Sequence, residues 1–221
     1  ESETYIKDIP SDGITALKYA KTSDNLLVSS WDNTLNLYDA YTVDLSLKHE
    51  SKAAILSTDF NEDETAAYFG GLEQKVKKLD FKTQTEMNIG HHDEAVRTVE
   101  YDPYSSCLYT GSWDKTLKIW DERSGSKEIT RELSDKVYAM SVCRNKVTLG
   151  MANNKVVVYD TRSSNELIYE EDTGIGKYQI RCIESMPDSE GFAIGSIEGR
   201  IAIEYFKDSK PEESSNFSFK C

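Results

Sequence analysis

Histidine is scarce in this chain, with three in 221 residues, and cysteine and proline number only four each. So few histidines leave little material for acid–base work. No serine-hydrolase elbow, HExxH, Walker loop or GxGxxG pattern occurs either, so we expect no enzyme. Cys107, Cys143, Cys182 and Cys221 follow no CxxC spacing. That argues against a metal site or a disulfide framework and predicts reduced, mostly buried thiols in a cytosolic or nuclear protein. No apolar run approaches the roughly 20 residues that span a bilayer, so no membrane contact is expected. No basic n-region and apolar h-region opens the chain, so we expect no secretion and give the glycosylation acceptor Asn216-Phe217-Ser218 little weight. Basic residues are in deficit, 26 against 39 acidic, for a net charge of −13. A phosphate backbone needs a basic surface, so no direct nucleic-acid partner is expected. A basic patch on so acidic a chain would act on one particular anionic partner.

One peptide is written twice, as SSWDNTLNLYD at Ser29–Asp39 and GSWDKTLKIWD at Gly111–Asp121. Weaker copies stand at GGLEQKVKKLD (Gly70–Asp80), GMANNKVVVYD (Gly150–Asp160) and GSIEGRIAIEY (Gly195–Tyr205). The positions matching Trp31 are Leu72, Trp113, Ala152 and Ile197, at steps of 41, 41, 39 and 45 residues. A period of about 40–45 residues with a Trp-Asp signature marks one propeller blade per repeat. A lone blade cannot bury its faces, so residues 1–221 read as one domain.

Inside each repeat, short β-branched and aromatic runs alternate with Asp, Asn, Gly and Ser. In the third repeat the runs are Val96–Asp102, Cys107–Trp113, Leu117–Asp121 and Lys127–Leu133. Alternation sets Leu117, Ile119 and Asp121 on one face and Lys118 and Trp120 on the other. The fold class is therefore all-β, a WD-repeat β-propeller with five four-stranded blades at about residues 13–50, 53–92, 95–133, 136–172 and 178–221. Residues 4–9 read as a leading strand of the kind that closes a ring. Five blades can form a ring of their own or part of a larger one, and the second reading is preferred. Lys207–Asn216 reads as an exposed polar connection before the last strand.

Three groups of residues could carry function. His92, Ser112, Asp114 and Trp120 occupy the places of a buried hydrogen-bond chain that rigidifies WD blades. That structural role outweighs a catalytic one for His92 and its neighbour His91. Trp31 and Trp113 each precede the Asp of a tight turn, and either pack the blade end or offer indoles to a peptide. Leu72, Ala152 and Ile197 at matching positions indicate that the fold does not demand Trp there. Arg181, Arg200 and Lys220 belong to the fifth repeat and could converge on one side, unless salt bridges to Glu184, Glu198 and Glu204 absorb them. An Arg fork suits carboxylates and phosphates.

SSWDNTLNLYD, GGLEQKVKKLD, GSWDKTLKIWD, KVYAMSV, KYQIRC, SIEGRIAIEY and FSFKC together resemble the WD-repeat spindle-checkpoint proteins of the "budding uninhibited by benzimidazole" group (Bub-three). The likeness runs along nearly the whole chain. The paralogous messenger-RNA export factors of the nuclear pore share GSWDKTLK and GSIEGR and are the alternative. The resemblance implies a nonenzymatic seven-bladed propeller of the nucleus, cytosol and mitotic kinetochore, of which this chain would lack the last two blades. It implies no cofactor. Its implied partners are the GLEBS-type segments of a checkpoint kinase and its pseudokinase relative, phosphothreonine in MELT-type repeats of the kinetochore scaffold, and the mitotic checkpoint complex. Arg181, with Tyr178 beside it, and Trp31 and Trp113 match the partner-binding positions. Arg200 and Lys220 match the phosphate contacts, whose physics is charge-assisted recognition of nearly two added negative charges.

Overall fold

Small polar turns reverse the chain every six or seven residues, and each repeat becomes four short antiparallel strands. The computed structural model describes residues 5–123, 127–162, 166–206 and 216–221. The first sheet holds β1 (Ile14–Tyr19), β2 (Asn25–Ser30), β3 (Thr34–Asp39) and β4 (Asp44–Glu50) in that order. The second holds β5 (Ile55–Phe60), β6 (Ala66–Gly71), β7 (Lys75–Asp80) and β8 (Glu86–His91), and the third β9 (Val96–Asp102), β10 (Cys107–Ser112), β11 (Thr116–Asp121) and β12 (Lys127–Glu132). The fourth holds β13 (Val137–Cys143), β14 (Lys146–Met151), β15 (Lys155–Asp160) and β16 (Glu166–Asp172), and the fifth β17 (Ile180–Ser185), β18 (Gly191–Ser196), β19 (Arg200–Tyr205) and β20 (Phe217–Lys220). None of the described residues is helical. The chain divides into two compact units, Glu1–Tyr101 and Asp102–Cys221.

One turn is built five times. Between the second and third strands Asn33, Gln74, Lys115, Asn154 and Gly199 take φ of 70°, 67°, 67°, 63° and 72°. The left-handed region is costly for ordinary side chains, so its recurrence at one place marks a constraint of the fold. The carbonyl of each turn residue accepts the N–H that follows the fourth strand: Ser51, His92, Leu133, Thr173 and Cys221, at 2.8–3.2 Å. The bond fastens the outer strand to the turn end of its own sheet.

The middle strands are covered on both faces. All six residues of β6 are buried, and in β11 Leu117, Ile119 and Trp120 are all buried, so the alternation expected there marks only which side each residue meets. Leu27, Leu35, Ile55, Phe69 and Leu79 share one core in the first unit. In the second unit Tyr109, Val137, Leu149 and Val157 form one cluster, and Val156, Ile180, Phe192 and Ile194 another. Polar side chains stitch neighbouring first strands. Thr15 Oγ1 donates to Ile55 O at 2.6 Å, Val99 N to Ser57 Oγ at 3.0 Å, and Ser185 N to Ser141 Oγ at 3.0 Å. These bonds occupy backbone groups that an open strand edge would leave unpaired.

One expectation, on the cysteines, is corrected. Of the leading strand expected over residues 4–9, Thr4 lies outside the described residues and residues 5–9 join none of the five sheets. A strand exists only by pairing. This segment instead turns at Lys7 and Asp8, where the Tyr38 hydroxyl donates to Asp8 O at 2.7 Å, and Ile6 packs beside Leu26 and Val28. The cysteines are free but not buried. Cys107 and Cys143 are half-buried, and Cys182 and Cys221 are exposed. Both exposed thiols belong to the fifth repeat, whose β20 is exposed at every position. The connection expected over residues 207–216 lies, except for the exposed Asn216, outside the described residues.

Gly71 has no room for a side chain. A Cβ there would stand 2.0 Å from Ala54 O, the carbonyl that accepts the Leu72 N–H. Gly71→Ala is expected to cost about 1–3 kcal/mol through this backbone clash. A urea unfolding midpoint equal to that of the parent chain would contradict the packing.

Candidate functional site

The turns between second and third strands set Trp31, Leu72, Trp113, Ala152 and Ile197 at one structural position. Four of their N–H groups donate to the chain just ahead of the first strand: Trp31 to Gly13 O at 3.0 Å, Leu72 to Ala54 O at 3.0 Å, Ala152 to Lys136 O at 2.9 Å and Ile197 to Gln179 O at 3.1 Å. The side chains therefore leave the sheets at their turn ends. Trp31 is 46% exposed, which favours an offered indole over a packed one. Trp113 is half-buried, and its Nε1 is shielded from solvent with no acceptor among the described residues.

Aspartates hold two of these turns. Asp114 Oδ1 accepts from Thr116 N at 2.9 Å and Thr116 Oγ1 at 2.6 Å, while Ser112 Oγ accepts from Asp114 N at 3.1 Å. Asp32 does the same with Thr34 N at 3.0 Å and Thr34 Oγ1 at 2.6 Å, and also takes Ser11 N at 2.7 Å. Burial works against the ionised Asp32, but the bonds from Thr34, Ser11 and Ser30 outweigh it and carry the pKa down to about 2. His92 is buried, its backbone N–H on Gln74 O at 2.8 Å. The buried Trp120 donates Nε1 to Thr110 Oγ1 at 2.9 Å. Thr110 was not foreseen. It lies two residues before Ser112 on β10, hence on the same face, and that spacing is the signal that could have found it.

The fifth sheet gathers the cations. Between Ile180↔Ser196 and Cys182↔Gly195 the ladder of β17 and β18 slips by one residue, and Arg181 is the residue left without a cross-strand partner. Bulges at the same place free Thr15, Leu56 and Tyr138 in other sheets. A bulge re-aims its side chain, and Arg181 is exposed. Arg200 opens β19 directly opposite Lys220 of β20. Cross-strand side chains stand about 5 Å apart, so two like charges here repel. Tyr178 lies under Arg200, guanidinium to ring centre 5.4 Å. Arg200 Nε is buried without an acceptor among the described residues.

The acids that could have neutralised this group are engaged elsewhere or leave it alone. Glu204 accepts from Gly174 N at 2.6 Å and from the Tyr169 hydroxyl at 3.4 Å, and Glu184 from Ser141 Oγ at 3.4 Å. Among the described residues no ion pair joins Arg181, Arg200 or Lys220 to a carboxylate. No group of three or more His, Cys, Asp or Glu among them could hold a metal.

The chain carries WD repeats. The model of the WD domain, G-beta repeat, matches residues 4–39 and 83–121. Over 217 residues the chain is 36% identical to the mitotic checkpoint protein BUB3.1 of Arabidopsis thaliana, which takes in 96% of this chain and 63% of that protein. Over 215 residues it is 37% identical to the mitotic checkpoint protein bub3 of Dictyostelium discoideum, with 96% and 64% covered. Over 221 residues it is 34% identical to the mRNA export factor GLE2 of Chaetomium thermophilum, with 96% and 61% covered. The chain thus spans a little under two thirds of the length of these relatives. The resemblance to the checkpoint group holds, with the export factors next to it.

The low pKa of Asp32 makes a pH prediction. A carboxyl whose folded pKa lies below its ordinary value of 3.8 contributes stability above that value and loses it as pH falls through about 2. Asp32→Asn is expected to flatten the fall of melting temperature across that interval. An acid limb as steep as that of the parent chain would show that the turn draws nothing from this charge.

Proposed function

We propose that this chain is part of a nonenzymatic spindle assembly checkpoint adaptor that reads phosphothreonine. It works in the nucleus and at mitotic kinetochores, with a cytosolic pool. In this reading Arg200 and Lys220 clamp the phosphate of a MELT-type repeat of the kinetochore scaffold. Arg181 meets the glutamates of a GLEBS-type segment of the checkpoint kinase or its pseudokinase relative, within the mitotic checkpoint complex. Tyr178 and the indoles of Trp31 and Trp113 supply apolar area to the same kind of partner. His92, Ser112, Asp114 and Trp120, together with Thr110, stiffen the third repeat.

The observation that carries this reading is the Arg200–Lys220 pair, which no carboxylate of the described residues neutralises, on a chain of net charge −13. Two cations held face to face oppose their own sheet until an anion sits between them, and a phosphate has the charge and acceptors to bridge both. The likeness to GLE2 supports a second reading, a nuclear-pore messenger-RNA export factor that takes a nucleoporin GLEBS segment. The acidic balance favours the first reading over RNA contact.

Arg200→Ala with Lys220→Ala is expected to remove the preference for a phosphothreonine MELT peptide over its plain twin, read by fluorescence anisotropy, while GLEBS-peptide affinity stays. Phosphopeptide affinity equal to that of the parent would sink the assignment. Arg181→Glu is expected to weaken the GLEBS peptide about tenfold or more by placing like charges together. Unchanged GLEBS binding would take Arg181 out of the site.

A further inference from the structure

The strands of the third and fourth repeats have a second end, opposite the turns of Trp113 and Ala152, and it holds an open groove. Tyr104 and Ser105 come from the β9–β10 connection, Arg144 and Asn145 from the β13–β14 turn, and Thr161 and Arg162 from the end of β15, around a volume of about 620 Å³. Tyr104 is 80% exposed.

The charges here are arranged rather than scattered. Arg162 is held by a fork: Nε to Asp160 Oδ1 at 3.2 Å and Nη2 to Asp160 Oδ2 at 2.8 Å. With its amide oxygen turned toward Arg162, Asn145 accepts from the same two nitrogens at 3.0 and 2.9 Å. That leaves Nη1 unspent on a side chain 71% exposed. Arg123 donates Nη2 to Ser105 O at 2.8 Å, bringing a third guanidinium to the rim, with Asp121 3.9 Å from its Nε. The carboxylates beside the groove are committed: Asp160 to Arg162, Asp121 to Arg123, and Asp102 to the amides of Tyr104 and Ser105 and the Ser105 hydroxyl. Arg144 is exposed and has no polar partner among the described residues.

We infer that this groove is a second docking surface, and that its occupant is an acidic, extended peptide segment of a partner protein. The overall charge of −13 repels anions, so a negative segment gains only where guanidinium groups converge, and this is such a place. Arg144 presents a carboxylate-matching fork and Arg162 its remaining Nη1 from two turns of one sheet, while Asn145 and Thr161 stand beside them as polar groups for a peptide backbone. Tyr104 adds a rigid apolar anchor. None of these residues belongs to the Arg200–Lys220 site, so the proposal stands or falls independently of the phosphothreonine reading.

The test is anisotropy at low salt with a fluorescein-labelled peptide of alternating Glu and Ser and its twin of alternating Gln and Ser. The Glu peptide is expected to bind and the Gln twin not. Arg144→Glu, which alters an exposed side chain with no polar partner among the described residues and so keeps the fold, is expected to weaken the Glu peptide about tenfold or more. Arg144→Glu with Arg162→Glu goes further, and Arg200→Ala changes nothing. Equal binding of the two peptides, or a Glu peptide held as tightly by Arg144→Glu as by the parent, overturns the proposal. Phosphatidylserine vesicles that bind through Arg144 when the Glu peptide does not would overturn the peptide assignment in favour of a lipid surface.

Discussion

One hydrogen bond, made once in every repeat, sets the geometry from which the rest follows. The carbonyl of a left-handed turn residue reaches across to the N–H beyond the fourth strand, at Asn33, Gln74, Lys115, Asn154 and Gly199 alike. It joins the outermost strand to the turn between the inner two, so each sheet has a closed, well-defined end. In the fifth repeat the bond is Cys221 N to Gly199 O at 2.8 Å, and it stands next to the pairing of Arg200 with Lys220. The cationic pair is therefore held by the same device that finishes the blade. Gly199 takes φ of 72°, where a Cβ would also come within 3.2 Å of Cys221 O, so the turn beside the site is best served by glycine.

The functional features sit where the fold has satisfied its own needs and left something over. Glu204 and Glu184 are engaged in hydrogen bonds within the fold, and the cations of the fifth sheet form no ion pair among the described residues. By contrast Lys77 is buried between Glu73 and Glu86, and Lys18 meets Glu100 at 2.5 Å. Partnered cations of that kind are structure. Arg200 Nε and Trp113 Nε1 are buried donors with no acceptor among the described residues, and such groups are rare in a settled core.

The repeats, the strand positions and the turn residues were legible in the sequence because a period near 41 residues and a hydrophobic pattern per strand leave direct marks. The residues of the cationic group were legible through SIEGR and FSFK. Three features were not. The bulge that frees Arg181 changes no composition and shifts the ladder by a single residue, so no pattern reveals it. Residues 4–9 have strand-like composition, but pairing decides a strand, and residues 5–9 are fixed instead by Tyr38 and the Leu26 cluster. Nothing local predicted the groove at Arg144 and Arg162, since three separate hairpins build it.

The central claim is that the fifth repeat reads phosphate. The most direct measurement is calorimetric titration of the folded chain with a phosphothreonine MELT peptide and with its unphosphorylated twin, each in the presence of a GLEBS peptide. The account predicts that the phosphorylated peptide binds about tenfold or more tightly, in keeping with charge-assisted bonds from two cations. Equal affinity for the two peptides would contradict it.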